Sequence, residues 1–263
     1  MAHRSRFNHD GVICMVNIRM KVALCLHGHF RCFDNKWPQY RDHLISRCNP
    51  DVFAFAWSDS FGHHSTNAGD NALVHWGYDT SSPSVPPEYL DSIRERLKPK
   101  AAIFKSYSEH DQMFQDLVDS WRGTGYLDVA AANHKPKGTL SMVYGRGQAI
   151  KAKAAYEAAN DFKYDLVIVT RWDVNYPYPL DIEADIDPTI VNASGTAHEF
   201  PWDWWTIGPS HLIDLWGEQS EGINELIAIG KYTNNTHYWQ KAWFEHRNIP
   251  WRSFWNHTTI ARE

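Results

Sequence analysis

The chain has 263 residues, 43% of them hydrophobic and 22% charged, a composition that supports a globular protein long enough to bury a substantial core. A formal net charge of -5 argues against the broad basic surface that nucleic-acid binding needs, so no nucleic-acid partner is expected and any polyanion is held locally. The longest apolar runs, VFAFAW at 52–57 and LVIVT at 166–170, fall far short of the ~20 residues of a membrane-spanning helix, so no transmembrane segment is expected.

The four cysteines, Cys14, Cys25, Cys32 and Cys48, form no CxxC pair, which favours a reduced, cytoplasmic setting. Residues 1–19 place positive charges around a broken apolar stretch, which does not make a secretory signal. They are set apart as an N-terminal extension that need not be native, with Met20 as an alternative start and 20–263 as one domain. Without secretion the N-x-S/T triplets at Asn192, Asn234 and Asn256 carry no weight.

From Met20 the chain alternates strand and helix signals. KVALCL at 21–26 is an unbroken apolar run that ends at a glycine turn, the pattern of a buried parallel strand. Trp37, Tyr40, Leu44 and Ile45 form the apolar stripe of a helix over 35–48, closed by Asn49-Pro50. DVFAFAW at 51–57 is a second strand, completing a βαβ unit. A Ser-, Gly-, His- and Pro-rich stretch at 58–87 predicts a long loop, in which the adjacent His63 and His64 point apart and make a poor metal site. Helix at 88–97, strand at 101–105 and helix at 109–121 follow, the last interrupted by Gly123 and Gly125.

Residues 139–160 are the longest helical candidate, with Met142, Ala149, Ile150 and Ala154 on one side and Lys151, Lys153 and Glu157 on another. YDLVIVTRWD then reads as a central strand, apolar from Leu166 to Val169 and polar at its carboxyl end. Short strands at 189–192 and 204–208, a helix near 209–228 and a Trp-rich helix near 235–247 complete the chain. The fold class is therefore α/β, Rossmann-like, with a mostly parallel sheet covered on both faces. Such sheets take ligands outside the carboxyl ends of their strands, which selects the loops HGHFR and RWDVN.

In RWDVN, Asp173 leaves a buried strand end where a carboxylate can hold a hard divalent cation, and Asn175 adds an amide two residues on. The alternative is an Arg171–Asp173 ion pair. In the first loop Gly28 allows close backbone approach, while Arg31 either pairs with phosphate through its planar fork or neutralises Asp34. His27 and His29 are read as loop histidines. Trp202-Asp203-Trp204-Trp205 sets one carboxylate among indoles, a site for a general base if burial raises Asp203 toward neutrality and for sugar faces stacked on tryptophan.

The run FKYDLVIVTRWD at 162–173, preceded by a helix, resembles the stretch around the DxD motif of GT-A nucleotide-sugar glycosyltransferases, in the shortened R-x-D form of capsule-type and viral enzymes. KVALCLHGHFR with NPDVFAFAW is similar to that family's first strand, Gly-x-x-Arg loop and second strand, and DWWTIGPSHLIDLW at 203–216 extends the likeness more loosely.

The resemblance implies a GT-A fold with a nucleotide-sugar-binding half at 20–180 and an acceptor half at 181–263. It also implies transfer of a sugar from a nucleoside diphosphate to a carbohydrate or other hydroxyl acceptor. Asp173 and His257 would hold Mn2+ or Mg2+; Gly28, Arg31, Arg171, Asn175 and Arg262 would contact the donor; Asp203 would be the base. Asn175 replaces the usual second Asp, which puts the metal in question and keeps open a rival, a non-catalytic sugar or nucleotide-sugar binding module. A GxxxxGK[ST] loop, a G-x-G-x-x-G turn and a G-x-S-x-G elbow are all missing from the sequence, which weighs against ATP-driven, dinucleotide and serine-hydrolase chemistry.

Overall fold

The computed structural model describes residues 5–7, 13–15, 20–31, 33–59, 84–125, 136–195, 201–231, 236–254 and 259–260. Within the first nineteen residues, β1 (Ser5–Phe7) and β2 (Ile13–Met15) pair as a short antiparallel ribbon. The predicted first strand is β3 (Val22–His27). Helical residues follow as α1 (Phe33–Gln39), a π-helical turn (Tyr40–Ile45) and α2 (Ser46–Cys48), and left-handed Asn49 (φ 44°) stops them before β4 (Asp51–Trp57).

The next elements are α3 (Pro87–Leu97), β5 (Ala101–Lys105), α4 (Asp111–Ser120) and the long α5 (Pro136–Ala159). After it come β6 (Leu166–Arg171), β7 (Val174–Asn175), α6 (Ile182–Asp185), β8 (Val191–Ser194) and β9 (Trp205–Gly208). The helix expected at 209–228 is two, α7 (Ser210–Gly217) and α8 (Gln219–Ala228). Gly217 ends α7 where that helix meets α5 closely: a β-carbon there would sit 2.7 Å from Ile150. α9 (Thr236–His246) is followed by two strands the periodicity did not reveal, β10 (Trp251–Phe254) and β11 (Thr259–Ile260).

Seven strands form one sheet in the order β10-β8-β9-β6-β3-β4-β5. β9 runs antiparallel to β6 and β8, and the other neighbours are parallel, so strands from both expected halves share one mostly parallel sheet. From β3 the chain moves outward through β4 to β5, then returns to lay β6 on the other side of β3. The strand order reverses between β3 and β6, where an α/β sheet opens a crevice at its carboxyl edge.

Two cores cover the two faces. Ala23 and Cys25 of β3 and Val167 and Val169 of β6 point to one core, packed by Ala149 and Ile150 of α5 and by α7, α8 and α9. Leu24 and Leu26, with Leu166 and Ile168, point to the other, packed by Phe33, Tyr40, Leu44 and α3. This alternation is the two-residue period of a strand buried on both faces.

One face of α5 differs from expectation. Lys153 and Glu157, assigned to a polar side, are fully buried. They satisfy each other at 2.9 Å, and Lys153 also reaches Ser210 at 2.5 Å and Asp214 at 2.7 Å. Complete pairing makes such burial tolerable and ties α5 to α7. Among the described residues no helix is long and apolar enough to cross a membrane.

Candidate functional site

His27 ends β3, Arg171 ends β6, and the two are side by side in the parallel register. Strand parity carries both toward the α5 face, continuing the rows Ala23–Cys25 and Val167–Val169. Gly28 follows with φ 104°, a left-handed turn open to glycine, and its carbonyl accepts from the Trp57 amide at 3.2 Å. α5 crosses close above: a β-carbon on Gly145 would lie 3.8 Å from the Gly28 nitrogen and 2.9 Å from the Phe55 ring.

The turn after β6 is held from the opposite face. Trp172 is fully buried in the second core and its indole N–H donates to the Phe55 carbonyl at 2.9 Å. The Tyr40 hydroxyl donates to the Arg171 carbonyl. With Trp172 anchored, Asp173 meets Arg171 in a bidentate pair, Nε to Oδ1 at 2.9 Å and Nη2 to Oδ2 at 2.8 Å. Arg31 crosses from the first loop to the same Oδ2. Arg31 has φ 43°, a backbone conformation disfavoured for a residue with a β-carbon. Asp34, the other partner considered for Arg31, is bonded instead by Arg96 at 2.5 Å.

Arg171 extends the chain of charges through Nη1 to Asp203 Oδ2 at 3.2 Å. His237, at the start of α9, brings Nδ1 to 3.2 Å from Asp203 Oδ1 and 3.3 Å from the Asp203 backbone nitrogen. The Asp203 N–H donates to Nδ1, so the ring is held against both the backbone and the carboxylate of Asp203. Trp202 and Trp204 are half-buried with ring centroids 4.3 Å apart, and Trp202 lies 6.5 Å from the His237 ring, whereas Trp205 belongs to the core.

Burial would raise both carboxylates, but the ion pairs outweigh it. Arg171 and Arg31 hold Asp173 well below the usual carboxylate range, and Arg171, His237 and Arg146 do the same to Asp203. The expectation that burial lifts Asp203 toward neutrality is therefore corrected: it is held as an anion and is a poor base. Burial pulls His27 down to about 3, with Arg146 and Arg171 pushing the same way, so its ring is neutral near pH 7.

Of the residues singled out in the sequence, Gly28, Arg31, Arg171, Asp173 and Asp203 converge on this edge. Asn175 follows in β7, where Thr259 of β11 is its strand partner. His257 and Arg262 lie outside the described residues; β11, between them in sequence, pairs with β7. His27 is a strand residue rather than a loop histidine. His237 and Arg146 were missed; a His in the first turn of a Trp-rich helix carries no motif, and Arg146 is hidden inside a helical pattern.

The described donor atoms, those of Asp173 and Asp203, do not suit a divalent cation. Both Asp173 oxygens accept from guanidinium groups, both Asp203 oxygens face Arg171 or His237, and a cation at Asp173 would meet the positive charge of Arg31 and Arg171. Among the described residues no group of three or more His, Cys, Asp or Glu side chains is arranged to hold a metal ion. Neither protein-family models nor curated proteins match this sequence.

Proposed function

We propose that this chain is a nucleotide-sugar-dependent glycosyltransferase of GT-A type, acting at the carboxyl edge between β3 and β6. The observation that carries the proposal is the continuous chain Arg31–Asp173–Arg171–Asp203, which joins the Gly28 turn to the Trp202–Trp204 segment across the switch point.

In this reading the donor diphosphate lies against the Gly28 turn and Arg31, and the acceptor sugar stacks on Trp202 and Trp204. The bond from the anomeric carbon to the diphosphate oxygen breaks, and the diphosphate leaves with the electron pair. The acceptor hydroxyl oxygen bonds to the same carbon and passes its proton to the His237 ring, which Asp203 positions through Nδ1. The growing charge on the diphosphate is met by guanidinium groups already fixed by buried carboxylates, so little reorganisation is needed during transfer. No step runs through a metal ion.

A binding module that holds the same ligand without transfer is the rival, because both Asp203 oxygens are already engaged by Arg171 and His237 and leave Asp203 no role as the base. A thermal-shift panel of UDP, GDP, CMP and their sugars, followed by donor hydrolysis and transfer assays, separates the readings. Stabilisation by one nucleotide family with turnover supports the transferase. Stabilisation with no turnover of any donor supports the module, and no shift with any nucleotide removes both.

A further inference from the structure

The middle of α5 carries the sequence Gly145-Arg146-Gly147, and glycine inside a helix is unfavourable relative to alanine. Packing accounts for both. A β-carbon on Gly145 would press on Phe55 at 2.9 Å, and one on Gly147 would lie 2.5 Å from Ser220 Oγ and 3.0 Å from the Gly217 carbonyl. The two glycines let the sheet and the α7–α8 pair close on the helix from either side. Arg146 is trapped between them, 1% exposed.

What surrounds the guanidinium is incomplete. Nη2 donates to the Gln219 side-chain oxygen, and the group lies 4.1 Å over the Trp216 ring. Gln219 is itself fixed, its Nε2 donating to the Trp239 carbonyl at 2.9 Å. Arg146 Nε and Nη1 and both ring nitrogens of His27 are buried with no hydrogen-bond partner among the described residues. A buried cation answered only by a neutral amide and an indole is costly unless an anion completes it. Burial lowers Arg146 to about 9, with Asp203 opposing, so it remains charged at neutral pH.

We propose that Arg146 is the inner anion-binding residue of this cleft, taking a phosphate oxygen of the donor diphosphate where a divalent cation would otherwise sit. The identity of that anion rests on the nucleotide-sugar reading; the site itself stands on the geometry. His27, whose two ring nitrogens are also buried without a partner and which precedes the Gly28 turn that Gly145 closely approaches, supplies one ring N–H to the same oxyanion. Charge-assisted bonds from a buried fork are the strong kind, and the fork is held in place before the ligand arrives.

The test is calorimetric titration of inorganic pyrophosphate into the full chain in excess EDTA. Wild type is expected to bind. Arg146→Met, similar in length and without charge, is expected to weaken binding roughly tenfold or more while keeping or raising the thermal midpoint. Gln219→Glu, which gives the guanidinium a carboxylate in place of the anion, is expected to raise the midpoint and suppress pyrophosphate binding even if Arg146→Met folds poorly. Binding that is absent in EDTA, or appears only with Mn2+ or Mg2+, overturns the proposal. So does unchanged affinity in both variants. Competition by nucleotide sugars is the separate arm: pyrophosphate bound through Arg146 but displaced by no nucleotide sugar defeats the transferase reading and leaves the anion site standing.

Discussion

Asp173→Asn should damage the fold as well as the function. The carboxylate is 1% exposed and accepts from both arms of Arg171 and from Arg31. The amide keeps one oxygen acceptor but turns NH2 toward guanidinium donors and removes the carboxylate that Arg31 and Arg171 share. Breaking a buried pair from one side costs about 3–5 kcal/mol, because the partner is left charged and desolvated. At roughly 2–4 °C per kcal/mol for a chain of this size, the thermal midpoint should fall by on the order of 10 °C. The pH dependence has a definite sign. Asp173 is depressed in the folded state, so its stabilisation is present above the unfolded value near 4 and is lost as pH falls toward the folded value. Urea unfolding of wild type and Asp173→Asn at pH 7 and at steps below pH 4 should show the gap between them narrowing with acid. An Asp173→Asn protein as stable as wild type at pH 7 would refute the buried-pair argument and return Asp173 to an open, ligand-facing site.

Arg31→Ala should weaken nucleoside-diphosphate binding by about 1.5–3 kcal/mol in calorimetry, the size of a charge-assisted contact, and unchanged affinity would leave Arg31 a purely structural partner of Asp173. His237→Gln should lower the turnover of transfer by roughly 10²–10⁴-fold with little change in donor affinity, whereas full turnover would place the proton acceptor elsewhere. Gly145→Ala gains about 1 kcal/mol of helix propensity but drives a methyl to 2.9 Å from Phe55. Overpacking of about 1–3 kcal/mol should win, so denaturant melts are expected to show net destabilisation, and a more stable variant would mean that Phe55 has room to move.

The strands were legible because each is a short apolar run with a polar exit. Those signals depend on local period and composition alone, so DVFAFAW and LVIVT could be located without knowing their neighbours. The same logic pointed to the Gly28 and Arg171–Asp173 loops, since a parallel sheet leaves its carboxyl edge as the place where polar residues can gather. β10 was not legible: its four residues, WRSF, are half-buried or exposed, and pairing with β8 makes them a strand. The ionic states were not legible either. Whether Asp173 faces a cation or a guanidinium depends on Arg31 arriving from 142 positions away, and whether Asp203 is raised or lowered depends on Arg171 and His237 outweighing burial. Arg146 carries the same lesson in reverse, because helical periodicity treats an arginine between two glycines as a surface residue. Its burial follows from close approaches on two sides of α5, by the β3–β4 edge and by the α7–α8 pair, and only the assembled packing brings all three together.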